Sequence, residues 1–297
     1  MTEGVVTREG FVSSDEVTHH TAKVNGIKLH YVSSGSGDPV VLLHGWPQTW
    51  DGWRRIIPAL AAKYTVVAPD MRGFGDSDKA AGGYDKRTVA EDVYQLVRHL
   101  GLGPIHLVGH DLGMMVVYAY ASAHPDEVRK LVLAEAGLPG LGLEEFFDTA
   151  RFPQFWHFGF FSAPNGVAES LIAGRERQFV SHFIRMQSYD PTGVTEEDIN
   201  EYARRLAAPG TLRGGFEHYR AFPVDAGHNK DYSRNKLPMP VLTLAGEHSV
   251  GGVLEKTIKP LAENIRGVVF ERCGHYLFEE RPEAVSAELL RFFDERA

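Results

Sequence analysis

Short apolar runs recur along the chain, separated by polar, glycine-bearing turns and by stretches of helical period, a pattern that predicts buried strands alternating with helices. Val40-Val41-Leu42-Leu43, Tyr64 to Ala68, Ile105 to Val108, Leu131 to Ala134 and Val241 to Gly246 are such runs. Ahead of them, Asn25-Gly26 separates Ala22-Lys23-Val24 from Ile27 to Val32, a hairpin signal, so the sheet is expected to open with antiparallel strands. Helices are expected over Trp53 to Leu60, over Met114 to Ala123, around Leu254 to Ile265 and from Pro282. Another is expected to start at Thr88-Val89-Ala90-Glu91, read as a capping box, and to run to about Leu100. Val268-Val269-Phe270 begins the last strand.

The rhythm breaks between Gly137 and about Lys236, where helix-like segments replace strands and aromatic residues crowd from Phe146 to Phe161. This predicts an α/β fold, a mostly parallel sheet with flanking helices, split by an inserted helical cap. The expected division is a core over 21–136 and 237–297, a cap over 137–236, and a polar arm over 1–20 that carries no assigned function.

Composition narrows the partners. With 297 residues and 43% hydrophobic content, a large core is affordable, and the net charge of -8 without basic runs argues against nucleic acid or an anionic membrane surface. No apolar run reaches the roughly 18 residues of a membrane span, and the N-terminus has no basic region followed by an apolar stretch. The single cysteine, Cys273, excludes an internal disulfide and fits a reducing compartment, so a cytoplasmic address is expected. No cofactor is expected, and no metal: His19-His20 lies in the arm and no His-Glu-x-x-His occurs. A homodimer is compatible with the sequence.

The chemistry centres on Gly109-His110-Asp111-Leu112-Gly113, which lies between a strand and a helix. Small residues on both sides of a central side chain permit the strained turn of a nucleophile elbow, where serine is customary. Asp111 instead offers a carboxylate, which attacks an electrophilic carbon and leaves an ester on the enzyme. The plainer alternative is an aspartate capping the next helix. His275 follows the last strand, and the order nucleophile, acid, histidine is that of a triad on this kind of sheet, so His275 is expected to deprotonate a water that attacks the Asp111 ester. Glu135 and Glu247 each follow a strand, and position alone does not separate them as the acid that orients the imidazole. His44-Gly45-Trp46-Pro47 ends a buried strand, and the backbone N–H groups of Trp46 and Leu112 are expected to form the oxyanion site.

Together with Asp70-Met71-Arg72-Gly73-Phe74-Gly75-Asp76-Ser77, these motifs resemble the epoxide hydrolase and haloalkane dehalogenase branch of the α/β-hydrolase superfamily. The cap segments Trp156-His157-Phe158, Glu169 to Gly174, Ser181-His182-Phe183-Ile184 and Phe216 to Arg220 resemble the bacterial Cif-like epoxide hydrolases. In that group a cap His-Tyr pair donates to the opening ring and a Glu after the strand following the elbow orients the histidine. The resemblance therefore implies an epoxide hydrolase acting on a small-molecule epoxide and water, with His182 and Tyr219 as donors and Glu135 as the acid. The chain departs from the Cif type in lacking an evident secretion signal and in having Pro47 after Trp46, so secretion and a virulence role are not carried over. The cap tyrosines Tyr189, Tyr202 and Tyr232 compete with Tyr219 for the donor role. Two rival functions are a dehalogenase using the same aspartate, although Leu112 stands where such enzymes place Trp or Arg, and a ligand receptor that kept the fold.

Overall fold

The structure, a computed structural model, describes residues 17–295. β1 (Thr18–Val24) and β2 (Ile27–Ser34) form the expected hairpin, in register from Thr18 opposite Ser33 to Val24 opposite Ile27. Asn25 and Gly26 both have positive φ, 45° and 77°, the pair of left-handed residues whose twist suits a two-residue hairpin. His19 and His20 therefore belong to a strand and not to the arm expected over 1–20; a polar sequence concealed a strand that lies at the sheet edge, with a mostly exposed face. Residues 1–16 of that expected arm lie outside the described residues.

β3 (Asp38–Leu43), β4 (Tyr64–Pro69), β5 (Ile105–His110), β6 (Val128–Ala134), β7 (Val241–Gly246) and β8 (Ile265–Phe270) complete an eight-stranded sheet among the described residues, ordered β1-β2-β4-β3-β5-β6-β7-β8. β1 with β2 and β2 with β4 pair antiparallel, and the remaining neighbours pair parallel. β5 and β7 are buried along their whole length, which accounts for their unbroken apolar runs.

Alternation along each strand sends its side chains to two separate cores. Val41 and Leu43 join the layer containing α2 (Lys86–His99) and α3 (Leu112–Ala123), whereas Val40 and Leu42 face α1 (Ile57–Ala61) on the other side. α1 is shorter than expected: Trp50–Trp53 forms a tight single turn, and the helix restarts with Pro58 in its first turn, where a missing N–H costs nothing. α2 begins one turn before the expected capping box. Asp85 is its N-cap and accepts from the Thr88 N–H at 3.1 Å, so Thr88 sits inside the helix rather than capping it.

Between β6 and β7 come α4 (His157–Phe161), α5 (Val167–Ile172), α6 (Glu176–Gln187), α7 (Glu196–Leu206), α8 (Thr211–Arg220) and α9 (Phe222–Tyr232). Their apolar faces close over the C-terminal edge of the sheet, and Phe161, Phe183 and Phe216 surround the Trp46 ring at centroid distances of 4.6, 4.7 and 6.0 Å. α10 (Val253–Ile258) stops well before Ile265, because a tight turn containing Pro260 intervenes and Ile265 opens β8. α11 (Leu277–Glu280) and α12 (Pro282–Asp294) end the chain's described part. Among the described residues no helix is long and apolar enough to cross a membrane.

Candidate active site

Asp111 occupies the turn from β5 into α3 with φ 53° and ψ -122°, a strained conformation for a residue with a side chain. The turn is enforced by its neighbours. A Cβ on Gly113 would lie 2.1 Å from the Leu43 carbonyl oxygen, and one on Gly45 would lie 2.3 Å from the Asp111 Cβ, so only glycines let β3, the elbow and the following helix approach so closely. Beyond the adjacent Leu112 N–H, the Asp111 side chain makes no cap hydrogen bond to α3. The Trp46 N–H donates to Asp111 Oδ1 at 2.8 Å and the Leu112 N–H also bonds the carboxylate, which leaves Oδ2 facing His275. Burial raises the Asp111 pKa, against the pull of the His275 charge and those two N–H groups.

His275 lies in the turn after β8, and its backbone N–H donates to the Gln187 carbonyl at 2.9 Å. Its Nε2 is 3.8 Å from Asp111 Oδ2, and its Nδ1 is 3.0 Å from Glu135 Oε2. Glu135, at φ 62° just beyond β6, is fully enclosed and also accepts from the Gly246 N–H at 2.6 Å and from Ser249. Burial works against a charged imidazole, yet the Glu135 hydrogen bond and charge, with Asp111 beyond, raise the His275 pKa above its ordinary value. Glu247 goes elsewhere: its side chain is half exposed and takes the Arg272 N–H at 3.0 Å.

A cavity of about 30 Å³, room enough for a water, lies over these groups. Its walls are mainly apolar, with Met115, Leu143, Phe146, Phe155 and Phe158 among them, and its polar groups are Asp111, Glu135, His275, His157, Tyr219, Gln187 and Ser249. Tyr219, from α8, is 2% exposed, and burial followed by the Asp111 charge keeps its phenol well above the usual range. The structure does not bring His182 here. That side chain is exposed on α6 and is absent from the cavity wall; on a helix, Phe183 and Ile184 take the inward face and turn His182 out. His157, the first residue of α4, lines the cavity instead, and burial, with a smaller contribution from His275, pushes its pKa down to about 3. Among the competing tyrosines, Tyr189 is exposed and Tyr202 donates to Glu279 at 2.6 Å; neither, nor Tyr232, lines the cavity. The signal for His157 was present in the sequence as a histidine inside an aromatic run. Gln187 and Ser249 carried none.

Two clusters among the described residues hold ligand-type atoms close enough for one cation: His30 with Asp70 and Asp76, and Asp85 with Asp225 and His228. In the first, Asp70 Oδ2 already accepts from His30 at 2.8 Å and its Oδ1 from the Trp50 N–H at 2.9 Å; in the second, Lys86 Nζ sits 2.9 Å from Asp225. Neither adjoins the cavity.

A family profile described as alpha/beta hydrolase fold matches residues 38–282. A soluble epoxide hydrolase from Corynebacterium sp. (strain C12) is 39% identical to this chain over 283 residues, covering 94% of this chain and 98% of that protein. A fluoroacetate dehalogenase from Burkholderia sp is 30% identical over 283 residues, 91% of each. The solved structure of epoxide hydrolase CorEH without ligand has a TM-score of 0.88 at 39% identity, covering 94% of this chain and 99% of that one. A profile that spans most of the sheet and the whole cap, joined to similarity over nearly the full chain, means that the chain belongs to the α/β-hydrolase fold family.

Proposed function

We propose that the protein is an epoxide hydrolase that converts an epoxide to a vicinal diol through an ester on Asp111. The observation that carries this reading is one apolar cavity in which a carboxylate, a carboxylate-bound imidazole and two uncharged donors from the cap meet. In the first step Asp111 Oδ2 attacks a ring carbon, the C–O bond breaks, and its electron pair stays on the ring oxygen. His157 and Tyr219 hold that developing alkoxide, and one of them gives it a proton. In the second step His275 Nε2 takes a proton from water while the hydroxide adds to the Asp111 carbonyl carbon. The charge then on Oδ1 is met by the Trp46 and Leu112 N–H groups; on collapse the C–O bond to the substrate breaks, the proton left on the added hydroxyl passes to the departing alkoxide, and the diol and the Asp111 carboxylate are released, while the proton on His275 returns to the donor left short. Glu135 fixes the imidazole tautomer. The acid and Tyr219 are those implied by the sequence, whereas the histidine donor is reassigned from His182 to His157, inside the Trp156-His157-Phe158 segment that already resembled the Cif-like group. Membership of that subgroup, a cap spanning 137–236, a homodimer and a cytoplasmic address belong to the same proposal; for the address the support is the lone buried Cys273.

The dehalogenase reading has less to stand on. Among the described residues no Lys or Arg lines the cavity to hold a substrate carboxylate, and the Trp46 indole is enclosed by cap phenylalanines rather than turned into the cavity. The proposal is tested with His275→Gln, which keeps alkylation and loses the base for hydrolysis. After mixing with an aromatic epoxide, the intact mass should rise by the mass of the substrate, on Asp111. Continued turnover without a mass increase defeats the two-step scheme, and halide release from a haloalkane panel in place of epoxide turnover would favour the rival.

A further inference from the structure

Resting on the reading of Tyr219 as a ring-opening donor, we propose that Lys86 is a positioning residue for that donor, acting from the core through the backbone of α8 and clamped by Asp225 of α9. Lys86 is the first residue of α2 and lies far in sequence from the cap, yet its side chain runs inward and is 1% exposed. Its ammonium donates to the His218 carbonyl at 2.7 Å and to Asp225 Oδ2 at 2.9 Å, while its own backbone N–H donates to Asp225 Oδ1 at 2.7 Å. Asp225 is likewise 1% exposed, and the Phe222 ring closes the remaining side with its centroid 5.0 Å from Nζ.

The placement of this pair distinguishes it from an ordinary buried ion pair. His218 directly precedes Tyr219, so a hydrogen bond to its carbonyl fixes the peptide plane from which the Tyr219 side chain departs. A second tie secures the same residue: His218 Nε2 lies 2.9 Å from the Arg72 carbonyl oxygen. α8 is thus gripped by the core immediately before the donor, and Asp225 connects α2 to the next cap helix. A buried ion pair is weak evidence of stability, because desolvation offsets much of the attraction, which directs attention to what the pair holds in place.

The experiment measures adduct formation by rapid mixing and intact mass in the His275→Gln background, for Lys86→Met, Tyr219→Phe and their combination. Adduct decay is followed separately with His275 intact. We expect Lys86→Met to slow alkylation on the order of 10-fold, as small displacements of a positioned group do. Adduct decay should stay at the parent rate, and the combined variant should be no slower than Tyr219→Phe alone. Because Lys86→Met strands a buried carboxylate, Lys86→Met with Asp225→Asn is measured beside it and gives the same result if the single variant folds poorly. Multiplying effects in the combined variant, equal slowing of decay, or alkylation at the parent rate would each overturn the proposal. Tyr219→Phe alkylating at the parent rate would instead overturn the donor reading on which it rests.

Discussion

His157 and Tyr219 enter the cavity uncharged, one because burial pushes an imidazole down to about 3, the other because burial and the Asp111 charge raise a phenol. Across neutral pH neither changes state, so their hydrogen-bond donation does not vary, and the pH dependence of ester hydrolysis near neutrality is assigned to His275. In the free protein, Glu135 first and Asp111 after it overcome burial and raise the His275 pKa above 6.5. Alkylation turns Asp111 into a neutral ester and removes one of the raising charges. Ester hydrolysis needs the neutral imidazole, so the rate of adduct decay should rise with pH, with a midpoint below that of the free protein's His275 titration. An NMR titration of the free protein set against the pH profile of decay checks this; coincident midpoints or a rate that falls with pH would contradict it. The reassigned donor makes its own prediction. His157→Phe keeps an aromatic ring in the cap and should slow alkylation by about 10²-fold or more, as loss of one donor to a developing oxyanion does, while His182→Ala should leave turnover near the parent value. Stopped-flow alkylation rates of the two variants decide between the positions.

At the level of elements, the sheet and its elbow were legible because burial on both faces forces unbroken apolar runs, and because the Gly109 to Gly113 turn tolerates few sequences. β7 matches its expected bounds, and Asp111 stands where its motif placed it. What the chain did not disclose depended on partners distant in sequence. β1 reads as polar because it lies at the sheet edge, and only its pairing with β2 makes it a strand. α2 starts at Lys86 because Asp85, an aspartate one turn before Thr88, caps it as well as Thr88 would have. The choice between His157 and His182 turned on helix phase: α6 runs from Glu176 to Gln187, and which of its faces meets the core is set by the docking of the cap and not by local pattern. Glu135 and Glu247 were indistinguishable for the same reason, since both follow strands and only the path of the chain after β8 brings an imidazole to one of them.

At the scale of the molecule, cap and core also meet at a second buried polar cluster. Glu279 of α11 accepts from Tyr202 of α7 at 2.6 Å and from Gln48, just after the Trp46 turn, at 2.8 Å. Burial raises its pKa to about 7, with Tyr202, Arg54 and Arg55 only partly opposing. A carboxyl raised on folding favours the native state while protonated, so its contribution is complete below about 4.5, the unfolded value, and is lost as pH rises through about 7. Replacing Glu279 with Gln should therefore flatten the stability profile, reducing the loss between pH 5 and pH 8 by on the order of 1 kcal/mol. Urea midpoints at the two pH values measure it, and an unchanged difference would show that Glu279 stays ionised.

The helical insert supplies His157 and Tyr219, and the sheet supplies Asp111, Glu135, His275 and the Trp46 and Leu112 N–H groups. Under the proposed scheme the groups that help the ring oxygen depart thus come from one module, while the nucleophile and the groups that free the enzyme from its own ester come from the other. A different insert grafted between β6 and β7 would change which bond is broken, while the frame beneath it went on resolving whatever ester it was handed.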